Sequence, residues 1–203
     1  MTDTGWNERG NYIFGGTDFF LSKGIRVQTV QKNSCELKSK SAAIAALAGE
    51  IWREHFPPII GEVQTDYMLA KFQSADRIYA DVKSGGYTYF TAECVKHDEM
   101  IGYCAIRPEK DYLFLSKLYI RKDFRGRGIA RGFLDEVSAL CRQEYGFDKI
   151  RLTVNKNNDG TIKVYLKMGF ETVDSTKTDI GEGFFMDDYV MELRGTCKNP
   201  KIA

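Results

Sequence analysis

The apolar and polar positions divide the chain into stretches of two different periods. Residues 25–31, IRVQTVQ, alternate and predict a first strand. From residue 40 to 56 the period lengthens. Ile44, Leu47, Ala48, Ile51 and Trp52 recur at i, i+3, i+4, i+7 and i+8, one face of a helix. Ser39 or Ser41 can cap it, and Pro57-Pro58 ends it, because a residue before proline is driven out of the helical region. A second helix is predicted from Glu62 to Gln73, then a short helical piece from Ala75 to Lys83, broken by Gly85-Gly86. Three strands follow at 87–95 (YTYFTAECV), 100–107 (MIGYCAIR) and 112–120 (YLFLSKLYI), the first two joined by KHDE in a hairpin. The helical period returns at Ile129, Ala130, Phe133, Leu134, Val137, Leu140 and Cys141 and stops near Gly146. Residues 149–154 place Ile150, Leu152 and Val154 on one face of a strand. After a turn at 155–160, Ile162, Tyr165, Leu166 and Gly169 share the face of a short helix, and 170–176 and 184–193 read as two last strands. The order β-α-α-β-β-β-α-β-α-β-β predicts a mixed α/β sheet with helices on both faces.

Residues 25–193 suit a single domain. Residues 1–24 hold five glycines and read as an irregular extension, partly packed through Ile13, Phe14, Phe19, Phe20 and Leu21, while 194–203 reads as a frayed tail. Of the 203 residues, 43% are apolar and 28% charged, enough for a buried core and against wholesale disorder. The net charge of +1 gives no overall reason to expect nucleic acid or an anionic membrane, and no apolar run approaches the ~20 residues of a membrane span. No signal peptide is read at the N-terminus. Five cysteines (Cys35, Cys94, Cys104, Cys141, Cys197) without a C-x-x-C pair suggest reduced thiols in the cytoplasm, and His55 and His97 do not cluster with them, so no metal is expected.

The chain's chemistry gathers in Leu113 to Glu136, LFLSKLYIRKDFRGRGIARGFLDE. A strand runs into a glycine-containing loop and then a helix N-terminus. Glycine lets backbone approach a ligand, and the first helical N–H groups have no intrahelical partner and lie at the positive end of the helix dipole. The loop is therefore a natural phosphate site. The plainer reading is a turn that happens to hold glycines and arginines. The cluster Arg121, Lys122, Arg125, Arg127 and Arg131 is the one local basic patch, which phosphates would explain without nucleic acid.

Ile120 through Ala130, IRKDFRGRGIA, resembles the acyl-CoA pyrophosphate loop of the GCN5-related N-acetyltransferases, the GNAT superfamily, through Arg125, Gly128 and Ala130. Asn158, Thr161, Tyr165, Gly169 and Phe170 resemble that superfamily's second motif. The segments IWREHFPPIIG, YMLAKFQS, LFLSKLYI, VNKNN and MDDYVMEL look, more loosely, like a bacterial subgroup that includes spermidine/spermine N-acetyltransferases.

The resemblance implies acetyl-CoA as cosubstrate and a GNAT-like, mostly antiparallel sheet. It implies that Gly126, Arg127, Gly128, Ile129, Ala130 and Arg131 wrap the pyrophosphate beside Arg125. Leu118, Tyr119 and Ile120 would pair with the pantetheine arm where their strand splays from 149–154, and an N–H near Tyr119 or Ile120 would stabilise the oxyanion. Tyr165 would protonate the leaving thiolate, against the plainer reading of a core tyrosine. Asn158 would bond the pantetheine arm, cap a helix, or both. Thr153 stands where many relatives carry a glutamate, so the base is unassigned: Glu93, Tyr119 or a carboxylate of the first two helices. Those helices offer Glu50, Glu54, His55, Glu62 and Asp66 as an acceptor wall, with Asp187, Asp188 and Tyr189 near its mouth. Such carboxylates suit a cationic, polyamine-like small amine. A protein or peptide acetyltransferase and a non-catalytic acyl-CoA-binding regulatory module are the alternatives, and a homodimer is left open.

Overall fold

The computed structural model describes residues 17–195, with side chains from Phe20 onward. A helical turn, α1 (Thr17–Ser22), precedes the edge strand β1 (Ile25–Thr29). Then come α2 (Leu37–His55), the single turn α3 (Pro57–Ile60), α4 (Glu62–Phe72) and α5 (Ala75–Lys83). Strands β2 (Thr88–Cys94), β3 (Glu99–Pro108) and β4 (Leu113–Ile120) lead through a 3-10 turn (Lys122–Phe124) into α6 (Ile129–Gln143). The chain closes with β5 (Lys149–Asn155), α7 (Asp159–Lys167), β6 (Glu171–Gly181) and β7 (Phe184–Arg194).

The strands form one sheet in the order β1-β2-β3-β4-β5-β7-β6, antiparallel everywhere except between β4 and β5. This is the mixed, mostly antiparallel sheet expected from the sequence. One core lies between the sheet and α1, α6 and α7, from Phe20 through Phe133 and Val137 to Phe170. The other lies under α2, α4 and α5, where Ile44, Ala48, Ile51, Trp52 and Ile78 meet Tyr89, Tyr103 and Ala105. The apolar face assigned to α2 is buried throughout.

Two local expectations differ. α2 begins before Ser39 and Ser41, and its N-cap, Glu36, makes no side-chain cap. The two serines instead turn their hydroxyls back onto the carbonyls of Glu36 and Leu37, the local bonding that lets serine sit inside a helix. Leu166 is exposed rather than sharing a packed face with Ile162 and Tyr165. The turn α1 interrupts the stretch read as irregular, and Ile13, Phe14 and Cys197 lie outside the described residues. Cys94, Cys104 and Cys141 are buried free thiols and Cys35 is an exposed one. Among the described residues no helix is long and apolar enough to cross a membrane, and no cluster could hold a metal ion.

Two backbone irregularities position the site. β4 pairs with β5 only at Leu113↔Ile150 and Phe114↔Arg151, after which the strands part. On its other side β4 carries a bulge, since Ala105 faces Lys117 while Ile106 faces Leu115, leaving Ser116 over. An extra residue in one strand re-aims the side chains beyond it. Leu113 and Leu115 before the bulge, and Ile120 after it, face the α6 core; Tyr119 faces the α2 side, and so, two positions away, does Lys117.

Candidate active site

Where β4 and β5 part, a cavity of about 450 Å³ opens between the strands and under α2. Leu118, Tyr119 and Ile120 border it, with Thr153, Val154 and Asn155 of β5 across the gap. β3 is drawn tightly behind this edge. A Cβ on Gly102 would come 2.7 Å from Ile120 Cδ1 and 2.8 Å from the Tyr119 carbonyl oxygen, so only glycine fits there.

Arg125, which borders the cavity, leads into the glycine loop. Gly126 and Gly128 have φ of 74° and 82°, a left-handed path that turns the chain from the 3-10 turn into α6. Gly128 is the N-cap and brings no side chain to the first amides of α6. Those amides, of Gly128 to Arg131, point out of the helix end without an intrahelical acceptor. The arginines around them are bound to the protein itself. Arg125 reaches back 2.9 Å to the Ile120 carbonyl and pairs with Glu54 at 3.4 Å. Arg127 donates to the Asp123 carbonyl and stacks over Phe124, and Arg131 pairs with Asp135. They shape the turn and leave the backbone free to meet an anion.

α7 brings Asn158 and Tyr165 to the same cavity. The Asn158 side chain caps α7 by accepting from the Thr161 N–H, and it lies 3.3 Å from His55 Nε2. Burial and the charge of Arg125 lower the His55 pKa, which keeps the imidazole neutral. Tyr165 packs edge-on to Phe170 and is half-buried at the border of the cavity. Burial, then the nearby Cys104, raises its pKa and keeps its hydroxyl protonated.

The opposite wall is aromatic. Trp52 stacks on Phe56, with ring centres 4.2 Å apart, and leans on Tyr119, which in turn lies against Tyr103. The buried Trp52 Nε1 lies near the Tyr103 and Tyr119 hydroxyls yet has no partner of normal hydrogen-bond geometry. Asp188 of β7, 6% exposed, borders the cavity on the face it shares with Thr153. Burial, then Asp187, pushes its pKa up to about 6; a hydrogen bond from Thr153 and the charge of Lys156 work against the rise. A carboxylate poised in this range suits proton abstraction.

The other acidic candidates are elsewhere. Glu93 pairs with Lys40 at 2.8 Å and Arg26 at 3.6 Å, away from the cavity. Glu50 and Glu62 are exposed on the outer faces of their helices, Asp66 pairs with Arg53, and Glu54 is shared by Arg125 and Lys122. Asp187 pairs with Lys156, and Tyr189 packs on the α6-side core. Burial raises the Tyr119 pKa, which makes its phenolate an unfavourable base. Of the expected acceptor wall only His55 borders the cavity, and of the expected mouth only Asp188.

The sequence reading missed Trp52, Gln73, Arg77 and Lys117 as cavity residues. One signal was present: Lys117 interrupts the apolar run LFLSKLYI of a strand whose faces are both covered, and a lysine is rarely buried there unless paired.

Comparisons with known proteins agree with this architecture. The model of the acetyltransferase (GNAT) family matches residues 47–170. The L-amino acid N-acetyltransferase AaaT of Escherichia coli is 30% identical over 104 residues, covering 48% of this chain and 63% of that protein. N-alpha-acetyltransferase 50 of Danio rerio is 30% identical over 90 residues, covering 43% of this chain and 54% of that protein. These matches thus span between half and two thirds of the relatives' lengths. Among solved structures, the PaiA N-acetyltransferase of Thermoplasma acidophilum in complex with coenzyme A superposes with a TM-score of 0.67 at 19% identity, over 84% of this chain and 99% of that one. A spermidine N-acetyltransferase SpeG of Vibrio cholerae superposes with a TM-score of 0.56 at 14% identity, over 85% of this chain and 94% of that one. Likeness at such identities concerns the fold.

Proposed function

Because this chain belongs to the acetyltransferase (GNAT) family, we propose that it is an N-acetyltransferase acting on a primary amine, with acetyl-CoA as acyl donor. The observation that carries this reading is that one cavity joins the open edge of β4, Tyr165 and Arg125, the residue that leads into the glycine-turned N-terminus of α6.

The residues fit the donor. Gly126 to Arg131 offer backbone amides and a helix dipole to a pyrophosphate, and Leu118 to Ile120 offer an unpaired strand edge to the amides of a pantetheine arm. Asn158, buried and turned toward His55, stands beside the path of that arm. When bound, acetyl-CoA supplies an acetyl thioester with a good leaving group. The chain's residues do the rest. A backbone N–H on β4 beyond the bulge stabilises the carbonyl oxygen as negative charge develops. Tyr165 gives its proton to the sulfur as the C–S bond breaks. Asp188 takes the proton that the amine nitrogen loses as the N–C bond forms. A separate proton must leave to solvent before attack, since an amine of pKa ~10.4 is neutral only about four parts in ten thousand at pH 7. Asp188 thereby answers for Thr153, whose hydroxyl cannot be a base at neutral pH and instead hydrogen-bonds the carboxylate that can.

The polyamine expectation loses its physical support, because Glu50, Glu62 and Asp66 lie outside the cavity and a single carboxylate, Asp188, lies inside. Thiol release from acetyl-CoA is the test, across amino acids, polyamines, lysine peptides and N-terminal peptides. Saturable release with at least one amine is expected, and Tyr165→Phe should lower kcat by about 10²-fold with acetyl-CoA affinity within about twofold. Turnover untouched by Tyr165→Phe for every accepted amine would sink the mechanism. Tight acetyl-CoA binding with no acceptor at all would leave a binding module instead.

A further inference from the structure

Where the cavity runs between α4 and β7 its walls are apolar. β7 presents Phe184, Met186 and Asp188 on the face toward α2 and α4, because alternate residues of a strand share a face. Met186 and Asp188 both border the cavity, two positions or about 7 Å apart. Beside β7, α4 turns Gln64, Met68 and Phe72 to the same cavity, a stripe at i, i+4 and i+8. Phe56 and Ile60, at the turn between α2 and α4, border it too.

Polar groups hold this wall in place and are used up in doing so. Gln64 donates through Nε2 to the Phe185 carbonyl at 2.7 Å, and the same nitrogen lies 4.0 Å from the Met68 sulfur. Tyr67 packs on Phe184 with ring centres 5.0 Å apart, and Tyr67 and Lys71 both donate to the Ile180 carbonyl. α4 is thereby pinned to the β6–β7 hairpin, and Met68 and Met186 enter one cavity from two elements.

Among the described residues, Asp188 is the one carboxylate that borders this cavity, and the other charged side chains on its border, Arg77, Lys117 and Arg125, are cations. The site therefore has a counter-charge for one ammonium. A second ammonium on the same ligand would lie against methionine or a like charge, and burying an unpaired charge is costly. A methylene chain or a ring gains from burial there instead. Methionine is unbranched and polarizable, so two of them adapt to apolar groups of different shape.

We infer that Met68 and Met186 form the specificity wall of the acceptor site, and that the acceptor is a small monoamine whose body beyond the nitrogen is apolar. This rests on the acetyltransferase reading.

The experiment compares hexylamine with cadaverine, a chain of equal length that ends in an ammonium where hexylamine ends in a methyl group. It reads thiol release from acetyl-CoA for this pair and for the straight-chain series from propylamine to hexylamine. In the series kcat/KM should rise about 3- to 4-fold with each methylene, and hexylamine should exceed cadaverine about 30-fold or more. Met186→Glu should bring a second carboxylate to the β7 face and reverse the order, making cadaverine the better substrate, with acetyl-CoA affinity within about twofold. Met186→Gln, which adds no charge, should shrink the hexylamine-to-cadaverine ratio by about 5-fold. A purely structural role for Met186 would lower the use of both amines and leave their ratio intact, which would overturn the inference. So would a flat methylene series, or cadaverine or spermidine used as well as hexylamine by the unchanged protein. If no amine releases thiol, the acetyltransferase reading fails, and calorimetric binding of the two amines to the protein alone decides the inference. Tighter hexylamine then supports it, and equal or tighter cadaverine overturns it.

Discussion

The two ends of the cavity are built by different means. At the α6 end the groups proposed to meet a ligand are backbone amides, aimed by two left-handed glycines and a helix start within a dozen residues of chain. At the other end they are side chains: Met68 from α4, Tyr119 from β4, Thr153 from β5, and Met186 and Asp188 from β7. A backbone site tolerates almost any side chain that permits the turn. A side-chain site changes its ligand with one substitution. The first kind can hold one donor whatever the neighbouring residues, while the second is free to choose an acceptor. Substitutions at each end set the two against each other.

The largest effect is expected at the side-chain end. Asp188→Asn should lower kcat by about 10²- to 10³-fold and remove the limb of the kcat/KM profile near pH 6, with acetyl-CoA affinity within about twofold. The same variant should be more stable. The folded-state pKa of Asp188, about 6, is above the ordinary value, so the fold favours the protonated acid and its ionisation costs stability. That cost grows as pH rises from about 4 to about 6 and then persists, and asparagine escapes it. Urea denaturation should show a gain on the order of 1–2 kcal/mol at pH 7.5 that vanishes near pH 4. Activity lost together with acetyl-CoA binding would mean that the two ends are not separate. A retained pH limb would move the base to another group on the cavity, His55 first.

At the backbone end the sensitive position is Gly128. A β-branched residue there must adopt a φ of 82°, which costs about 1–2 kcal/mol and withdraws the amides it should aim. Gly128→Val should weaken acetyl-CoA binding about 10-fold or more, with kcat at saturation within about threefold. Equilibrium dialysis against acetyl-CoA gives the first number. Undiminished binding would show that the amides of α6 do not hold the phosphates.

This contrast also explains what the sequence could disclose. The glycine loop is legible because its physics is local: Arg125 to Ala130 make the turn and the helix start by themselves. The apolar faces of α2 and α6 are legible for the same reason, as periodicities of neighbouring residues. Asp188 could be named as a candidate, but its meeting with Thr153 is not legible, because the two lie 35 positions apart and come together only through the pairing of β5 with β7. The bulge at Ser116, which turns Lys117 toward the α2 side, leaves no mark in the pattern of LFLSKLYI beyond one misplaced lysine. Counting carboxylates along α2 and α4 suggested an acidic wall because nothing in a one-dimensional pattern says which helix face the cavity meets.

The smallest effects should come from the arginines that make the loop look basic. The Arg131 guanidinium is held at 2.9 Å by Asp135, one helical turn along, and both side chains are more than half exposed. Exposed pairs of this kind contribute about 0.2–1 kcal/mol and are weakened by salt. Arg127 is committed to the Asp123 carbonyl and the Phe124 ring. If backbone amides hold the pyrophosphate, Arg131→Ala and Arg127→Ala should each raise the KM for acetyl-CoA by no more than about threefold, and the change should shrink further as salt rises from about 0.05 to 0.5 M. Losses of 30-fold or more would make the α6 end a side-chain site like its opposite. The division between a backbone that holds the donor and side chains that choose the acceptor would then have no physical basis. Small losses here beside a large one at Gly128 would instead locate the binding energy in the path of the backbone, where a change of side chain does not reach it.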